Sequence, residues 1–347
     1  EFCLNWLKSQ GARGVYIDQA LNVVYPADVR QDGPLDVFMA HMDVVFSDET
    51  ELPLRVEDGR IYCPGVGDDT ACLVCLLLAG KYIARHVDSP SWREIRGEDA
   101  PGLLLVCNAG EEGLGNLKGV RKICEDYGGR IKSFCTFDSS LSSIVDRAVG
   151  SKRFRVKVRT RGGHSYNDFG NDNAIAGLAS LVGKLYKIQV PEGGKTTYNV
   201  GMISGGTSVN TIAQEAEMLY EFRSDKRENL EYMERQFMEV LDRAKAEGTD
   251  VSFQVIGVRP CEGQVDPAQK QALTDWAHRV VEEMTGQAPK HHAGSTDCNI
   301  PLSLGIPSVC VGSFRGAGAH TREEYVETDS LEEGYKVAFG MIFGRRD

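Results

Sequence analysis

Four short segments of this chain, DVFMAH at 36–41, GLLLVCNAG at 102–110, SFCTFD at 133–138 and SVCVGS at 308–313, hold apolar runs without alternation. A strand with one wet face alternates, so such runs, set between helical stretches, require an α/β sheet buried on both faces. Apolar spacing predicts covering helices over about 70–85, 268–285 and 331–344, and an amphipathic first helix carrying Phe2, Leu4 and Leu7. Ligands of such sheets gather beyond the carboxyl ends of the strands.

The middle of the chain follows another rule. In KRFRVKVRTRGG, Phe154, Val156 and Val158 alternate with Arg153, Arg155, Lys157 and Arg159, the pattern of a half-buried strand. A helix with Ile175, Leu178, Leu181, Val182 and Leu185 follows, then strands at TTYNVGMI and AEMLYEFRS, a helix over 229–247 and a strand at VSFQVIGV. The order β-α-β-β-α-β is that of a ferredoxin-like α+β module. It is predicted as an insertion, 151–259, in a discontinuous domain made of 1–150 and 260–347.

Charge and cysteine usage narrow the function. The inserted block holds 16 Lys and Arg against 14 Asp and Glu, so of the net −11 the flanks carry −13. That balance, without a basic cluster, argues against nucleic acid and leaves the flanks able to hold a multivalent cation. The ten cysteines lie mostly in apolar segments, as free thiols of a reducing compartment do, and the pair Cys72 and Cys75 is read as core, not as a metal site. No run suits a membrane span or signal peptide, so a cytoplasmic protein is expected. The chain begins at Glu1 without a methionine, and a native N-terminus is expected to be missing.

At the predicted strand ends stand groups that an apolar setting penalises. His41 closes DVFMAH, Glu111 and Glu112 follow GLLLVCNAG, Asp138 follows SFCTF, His320 lies in RGAGAH, and Asp68 and Asp69 sit in the glycine loop PGVGDDT. Any one of these has a plain alternative: a satisfied core histidine, or a solvated acidic pair at a helix start. Together they deliver two imidazoles and several carboxylates to one rim, a donor set suited to zinc or a similar divalent ion. So many ligands exceed one open catalytic zinc, and two ions sharing a carboxylate, with an activated water between them, is the economical arrangement. Asp43, two residues beyond His41, is expected to accept the ring N–H that is not on the metal.

The segments HMDVV, PGVGDD, NAGEEGLGN, FDSS, GGHSYNDFGNDNAI, NVGMISGGTSVNTIA, EFRSD, GSTDCNIPLSLGIPSV and GAGAHTREE resemble, in order and spacing, the co-catalytic di-zinc metallopeptidase family. That family includes peptidase T, glutamate carboxypeptidase, aminoacylase and succinyl-diaminopimelate desuccinylase. The chain looks most like peptidase T relatives, with Asp at 138 where deacylases usually have Glu. The resemblance implies a three-layer α/β catalytic domain with the inserted module as lid and dimerisation domain, two zinc ions per chain and a homodimer.

By the same resemblance, His41 and Asp138 bind one zinc, Glu112 and His320 the other, and Asp68 bridges them, its peptide bond to Asp69 often cis in relatives. Glu111 is the implied general base, and His164 the implied oxyanion donor to the partner subunit's site. Asn210 and Arg223 match positions that bind a substrate carboxylate. Their plain alternatives are a turn cap for Asn210 and an acidic neighbour for Arg223. Thr70 and Phe46 depart from the common Lys and Pro, but neither is a ligand. His86 and His278 read as surface groups, and His291 and His292, near GSTD, as candidates for the pocket wall. The expected activity is hydrolysis of an amide bond in short peptides. The rivals are an N-acyl-amino-acid deacylase and a noncatalytic metal-binding relative.

Overall fold

The computed structural model describes residues 1–29, 32–46 and 52–344. The chain divides into two compact units, Glu1–Ala148 with Glu262–Asp347, and Val149–Cys261. The first contains an eight-stranded sheet whose centre is parallel: Gly102–Asn108, Leu35–His41, Ile131–Phe137 and Ser308–Val311 lie side by side in that order. Every residue of Leu35–His41 and of Gly102–Asn108 is buried.

The unbroken apolar runs are explained by what covers each face. Phe38, Leu105, Phe137 and Val309 pack beneath helices Cys72–His86, Pro267–Thr285 and Ser330–Phe343. Their neighbours Val37, Met39, Leu104 and Phe134 face the other way, with Val120 and Ile123 of Lys118–Tyr127. Alternate residues therefore serve different layers, and none can be polar without cost.

Two expectations shift in detail. The first helix, Phe2–Ser9, buries Leu7 and packs Leu4 against the core as expected, but Cys3 takes the inward place expected of Phe2, which is left outside. The second helix begins at Cys72, not Thr70: residues 66–71 form a wide irregular turn with non-helical dihedrals at Asp68 and Asp69, and the peptide bond between those two is cis. Beside the main sheet, Gly316–Ala317, Tyr325–Glu327, Arg60–Tyr62 and Arg55–Glu57 form a small antiparallel sheet. Its strands are too short to leave a periodic signal.

The second unit is an antiparallel sheet in the order Thr196–Gly205, Glu215–Ser224, Gly150–Arg159, Asp250–Arg259, covered on one face by helices Ala174–Leu185 and Arg227–Ala246. Phe154, Val156 and Val158 turn inward against Leu178, Leu181, Phe237 and Leu241. The basic outer face is matched across the strands: Arg153 opposes Glu221 at 3.2 Å and Lys157 opposes Glu217 at 3.1 Å. Such pairs contribute at most ~1 kcal/mol each, so they set register while the covered face supplies stability. No helix among the described residues is long and apolar enough to cross a membrane.

Candidate metal centre

The first unit gathers seven acidic and imidazole side chains at the carboxyl ends of its central strands. His41, the last residue of its strand, is 1% exposed; its ring Nε2 lies 3.0 Å from Asp68 Oδ1. The other oxygen of Asp68 lies 3.1 Å from His320 Nε2, which is also 3.3 Å from Glu112 Oε1. One carboxylate thus stands between two imidazoles, offering an oxygen to each. The ligand atoms of His41, Glu111 and Glu112 lie within 4.8 Å of one another, as do those of His41, Asp69 and Asp138.

Asp43 does not do what its spacing suggested. The strand ends at His41, the chain bends, and the His41 Nδ1 proton goes to the main-chain carbonyl of Asp43 at 2.9 Å. The Asp43 carboxylate turns instead to the next loop, accepting the N–H groups of Gly110 (2.8 Å), Glu111 (3.2 Å) and Glu112 (2.9 Å). It orients the acidic pair, while its backbone sets the His41 tautomer.

The sequence places Asp69 at the rim without a role of its own and does not single out Glu324. Asp69 is 1% exposed and its Oδ2 accepts the His41 N–H at 2.8 Å. Glu324, 2% exposed, accepts the N–H groups of Gly65, Gly67 and Asp68 at 2.6, 2.9 and 2.8 Å. The available signal for Glu324 was a carboxylate just ahead of the strand Tyr325–Glu327, where Val326 is buried.

Electrostatics describe a site short of positive charge. Burial drives the His41 imidazole down, yet Asp69, Asp68, Asp138 and Glu111 outweigh it and hold the ring well above its ordinary value. Burial raises Asp68, but His41 and His320 bring it below the usual carboxylate range. Glu112 is pushed up to about 7 by burial and by the charges of Asp68 and Glu111. Without metal, protons must fill the deficit. Carboxylates outnumber imidazoles in the three candidate ligand groups taken together, and a donor set of nitrogen and oxygen fits divalent cations. Beside it lies a cavity of about 250 Å³ lined by Asp68, Asp138, Ser139, Ser140, Phe314, residues 316–319 and Glu324.

The remaining site candidates belong to the second unit. His164 and Asn210 meet on a small ribbon, Gly163–His164 against Thr211–Ile212, where the Asn210 carbonyl accepts the Ser165 N–H at 2.9 Å. The exposed His164 ring accepts the Tyr166 N–H at Nδ1, which leaves Nε2 as the protonated nitrogen of the neutral ring. Asn210 Oδ1 accepts a hydrogen bond from Ser208, a turn role. Arg223 forks onto Glu221 at 2.9 and 3.1 Å, near the other end of the ten-residue strand Glu215–Ser224.

His291 does not join the metal cluster. It sits on the edge strand Lys290–Gly294, bonded to Asp146 (2.9 Å) and His278 (2.8 Å), and His292 lies on the same edge. His278 is therefore paired, and His86 is half-buried with its ring stacked on Tyr82.

Paired histidines sharing a carboxylate at the mouth of a parallel sheet define a metal-dependent hydrolase. The family model described as peptidase family M20/M25/M40 matches residues 37–343, and the chain belongs to that family, whose members hydrolyse amide bonds. It is 24% identical over 323 residues to the succinyl-diaminopimelate desuccinylase of Nitrosomonas eutropha, covering 87% of this chain and 80% of that one. Its fold is shared with aminopeptidase PepT of Bacillus cereus (TM-score 0.70, 21% identity, 99% of this chain and 91% of that one). A Staphylococcus aureus tripeptidase is similarly related (TM-score 0.72, 20% identity, 97% and 90%).

Proposed function

We propose that the protein is a two-zinc exopeptidase acting on short peptides as a homodimer. The observation that carries the two-metal reading is Asp68, one oxygen toward His41 and the other toward His320. In this reading His41 and Asp138 hold one ion, Glu112 and His320 the other. Bound there, the pair would polarise the scissile carbonyl and bring the pKa of water near neutrality. Glu111 takes the proton of the attacking water and delivers it to the leaving amine. Asp43 holds the backbone of Glu111 and Glu112 so that base and ligand keep their relative position.

The cavity beside Asp68 and Asp138 favours a peptide over a succinylated substrate. Its lining is serine hydroxyls, Phe314, the backbone of 316–319 and carboxylates, with no Lys or Arg. With Asp68 and Asp138 on the ions and Glu324 on backbone N–H groups, this lining offers a succinyl carboxylate no Lys or Arg to pair with, whereas a small uncharged side chain is accommodated.

We assign residues 151–259 as lid and dimerisation module. Thr196–Gly205 is an edge strand with Met202 and Ile203 about 60% exposed, the kind of edge that pairs with a second copy. His164 lies beyond Arg159, some nine residues or ~30 Å along the strand from Gly150, remote from where the chain enters this module. That placement supports service to a partner's site, where His164 donates to the oxyanion and Asn210 contacts substrate; Arg223, at the opposite end, is assigned to the substrate carboxylate on exchange with Glu221. The free, mostly buried thiols support a cytoplasmic setting. The test is elemental analysis of zinc-saturated protein with an assay panel of dipeptides, tripeptides and N-acyl amino acids. Two ions per chain and turnover of free-amine peptides are expected. Trace metal, or a preference for N-succinyl substrates, overturns the assignment.

A further inference from the structure

We propose that Glu324 is a positioning residue for the metal pair: its carboxylate pins the turn that carries Asp68 to the loop that carries His320, and so sets the separation of the two ions. The proposal rests on the two-metal reading above.

The buried carboxylate is encircled by backbone donors. Oε2 accepts the Gly65 N–H at 2.6 Å, and Oε1 accepts those of Gly67 at 2.9 Å and Asp68 at 2.8 Å. The last belongs to the bridging residue itself, so the Asp68 main chain is held directly. The glycines of PGVGDD follow from this clamp. Gly65 has φ +77°, and a Cβ on Gly67 would stand 2.6 Å from the Phe314 ring and 3.1 Å from Glu324 Oε1.

The other side of the clamp is equally fixed. Glu324 is four residues beyond His320, its carbonyl accepts the Cys63 N–H at 3.1 Å, and the strand it leads into, Tyr325–Glu327, pairs with Arg60–Tyr62. The need for such anchoring lies in His320. The His41 ring is steered by the Asp43 carbonyl, but the polar partners of the His320 ring among the described residues are Asp68 and Glu112, and its side chain is 59% exposed. Its position is therefore set by its loop, and the loop is tied to Asp68 through Glu324. Asp43 and Asp69 perform the same service for Glu112 and His41, each through backbone N–H groups.

The experiment loads the full chain with Mn(II) and follows binding by calorimetry and the metal pair by electron paramagnetic resonance. Two ions sharing a carboxylate give an exchange-coupled signal. In Glu324→Gln the amide nitrogen faces N–H groups, and we expect one ion to bind ~10–100-fold more weakly, the usual loss for an outer partner of a ligand, with the coupled signal replaced by that of isolated ions. Glu324→Asp, which keeps the charge but is one methylene shorter, should change both readouts in the same direction and supplies the measurement if the Gln variant does not fold. Glu323→Gln, the exposed neighbour, should match wild type. A merely structural role would lower the melting temperature while the folded, loaded variants kept wild-type affinity and coupling; that result overturns the proposal. A wild type without a coupled pair overturns the two-metal reading and this proposal with it.

Discussion

Replacing Asp43 with Asn separates two accounts of this residue. If its side chain oriented the His41 ring, the variant would weaken the ion held by His41. In the structure that ring bonds the Asp43 main-chain carbonyl, which the substitution leaves in place, and the carboxylate serves Gly110, Glu111 and Glu112. An Asn Oδ1 can keep the bonds to Gly110 and Glu111, while its amide nitrogen faces the Glu112 N–H. One charge-assisted bond, at 2.9 Å, is lost. Such a bond contributes ~1.5–3 kcal/mol. The Asp43 side chain is 31% exposed, so water replaces part of it and the lower end applies. About 1.5 kcal/mol is roughly tenfold in affinity. Calorimetric zinc titration of stripped protein should show that loss in one of two steps. Histidine ¹⁵N spectra, with His41 and His320 assigned from their alanine variants, should place it at the step that shifts His320. A loss at the His41 step, or no loss, refutes the reasoning.

Three other outcomes are expected. Glu111→Gln should retain both metals and lose at least ~10²-fold in rate, checked by metal analysis beside steady-state kinetics. His164→Ala should lose roughly 10²–10³-fold at unchanged metal content, and subunit exchange with Glu111→Gln should restore part of the activity, since one site of the mixed dimer has both groups intact; no recovery despite proven exchange counts against a shared site. In stripped protein, Glu112 titrates near 7 instead of 4.5, so its contribution to stability is full below about pH 4.5 and is lost as pH rises through about 7. His41, also raised, acts in the same direction. The gain in melting temperature on adding zinc should therefore grow between pH 5 and 7.5, and a flat difference would contradict it.

Much of the architecture was legible because burial leaves a period in the chain. Leu35–His41 and Gly102–Asn108 are buried on both faces and read as unbroken apolar runs, whereas Gly150–Arg159 has one wet face and alternates. The strands Arg60–Tyr62 and Tyr325–Glu327 are three residues each and half-buried, too short for any period. The edge strand Lys290–Gly294, mostly exposed, carries no apolar pattern either, so nothing in the sequence shows that His291 leaves the wall of the metal site's cavity and instead bonds Asp146 and His278 beside a separate cavity.

The amino-acid sequence by itself determined which groups reach the rim, since a polar residue at or just past the end of an apolar strand has its address set by the strand: His41 ends one, Asp138 directly follows another, and Glu111 and Glu112 stand in the loop that leaves Gly102–Asn108. What each group does there was decided by the tertiary structure. Whether Asp43 offers its carbonyl or its carboxylate to His41 depends on how the chain bends after the strand, and the loop at 110–112, 67–69 residues away, is what claims the carboxylate. Glu324 meets Gly65, Gly67 and Asp68 across 256–259 residues. A carboxylate that binds backbone N–H groups recognises no side chain, so its partners leave no residue type to read, and only the folded path of the chain brings them together.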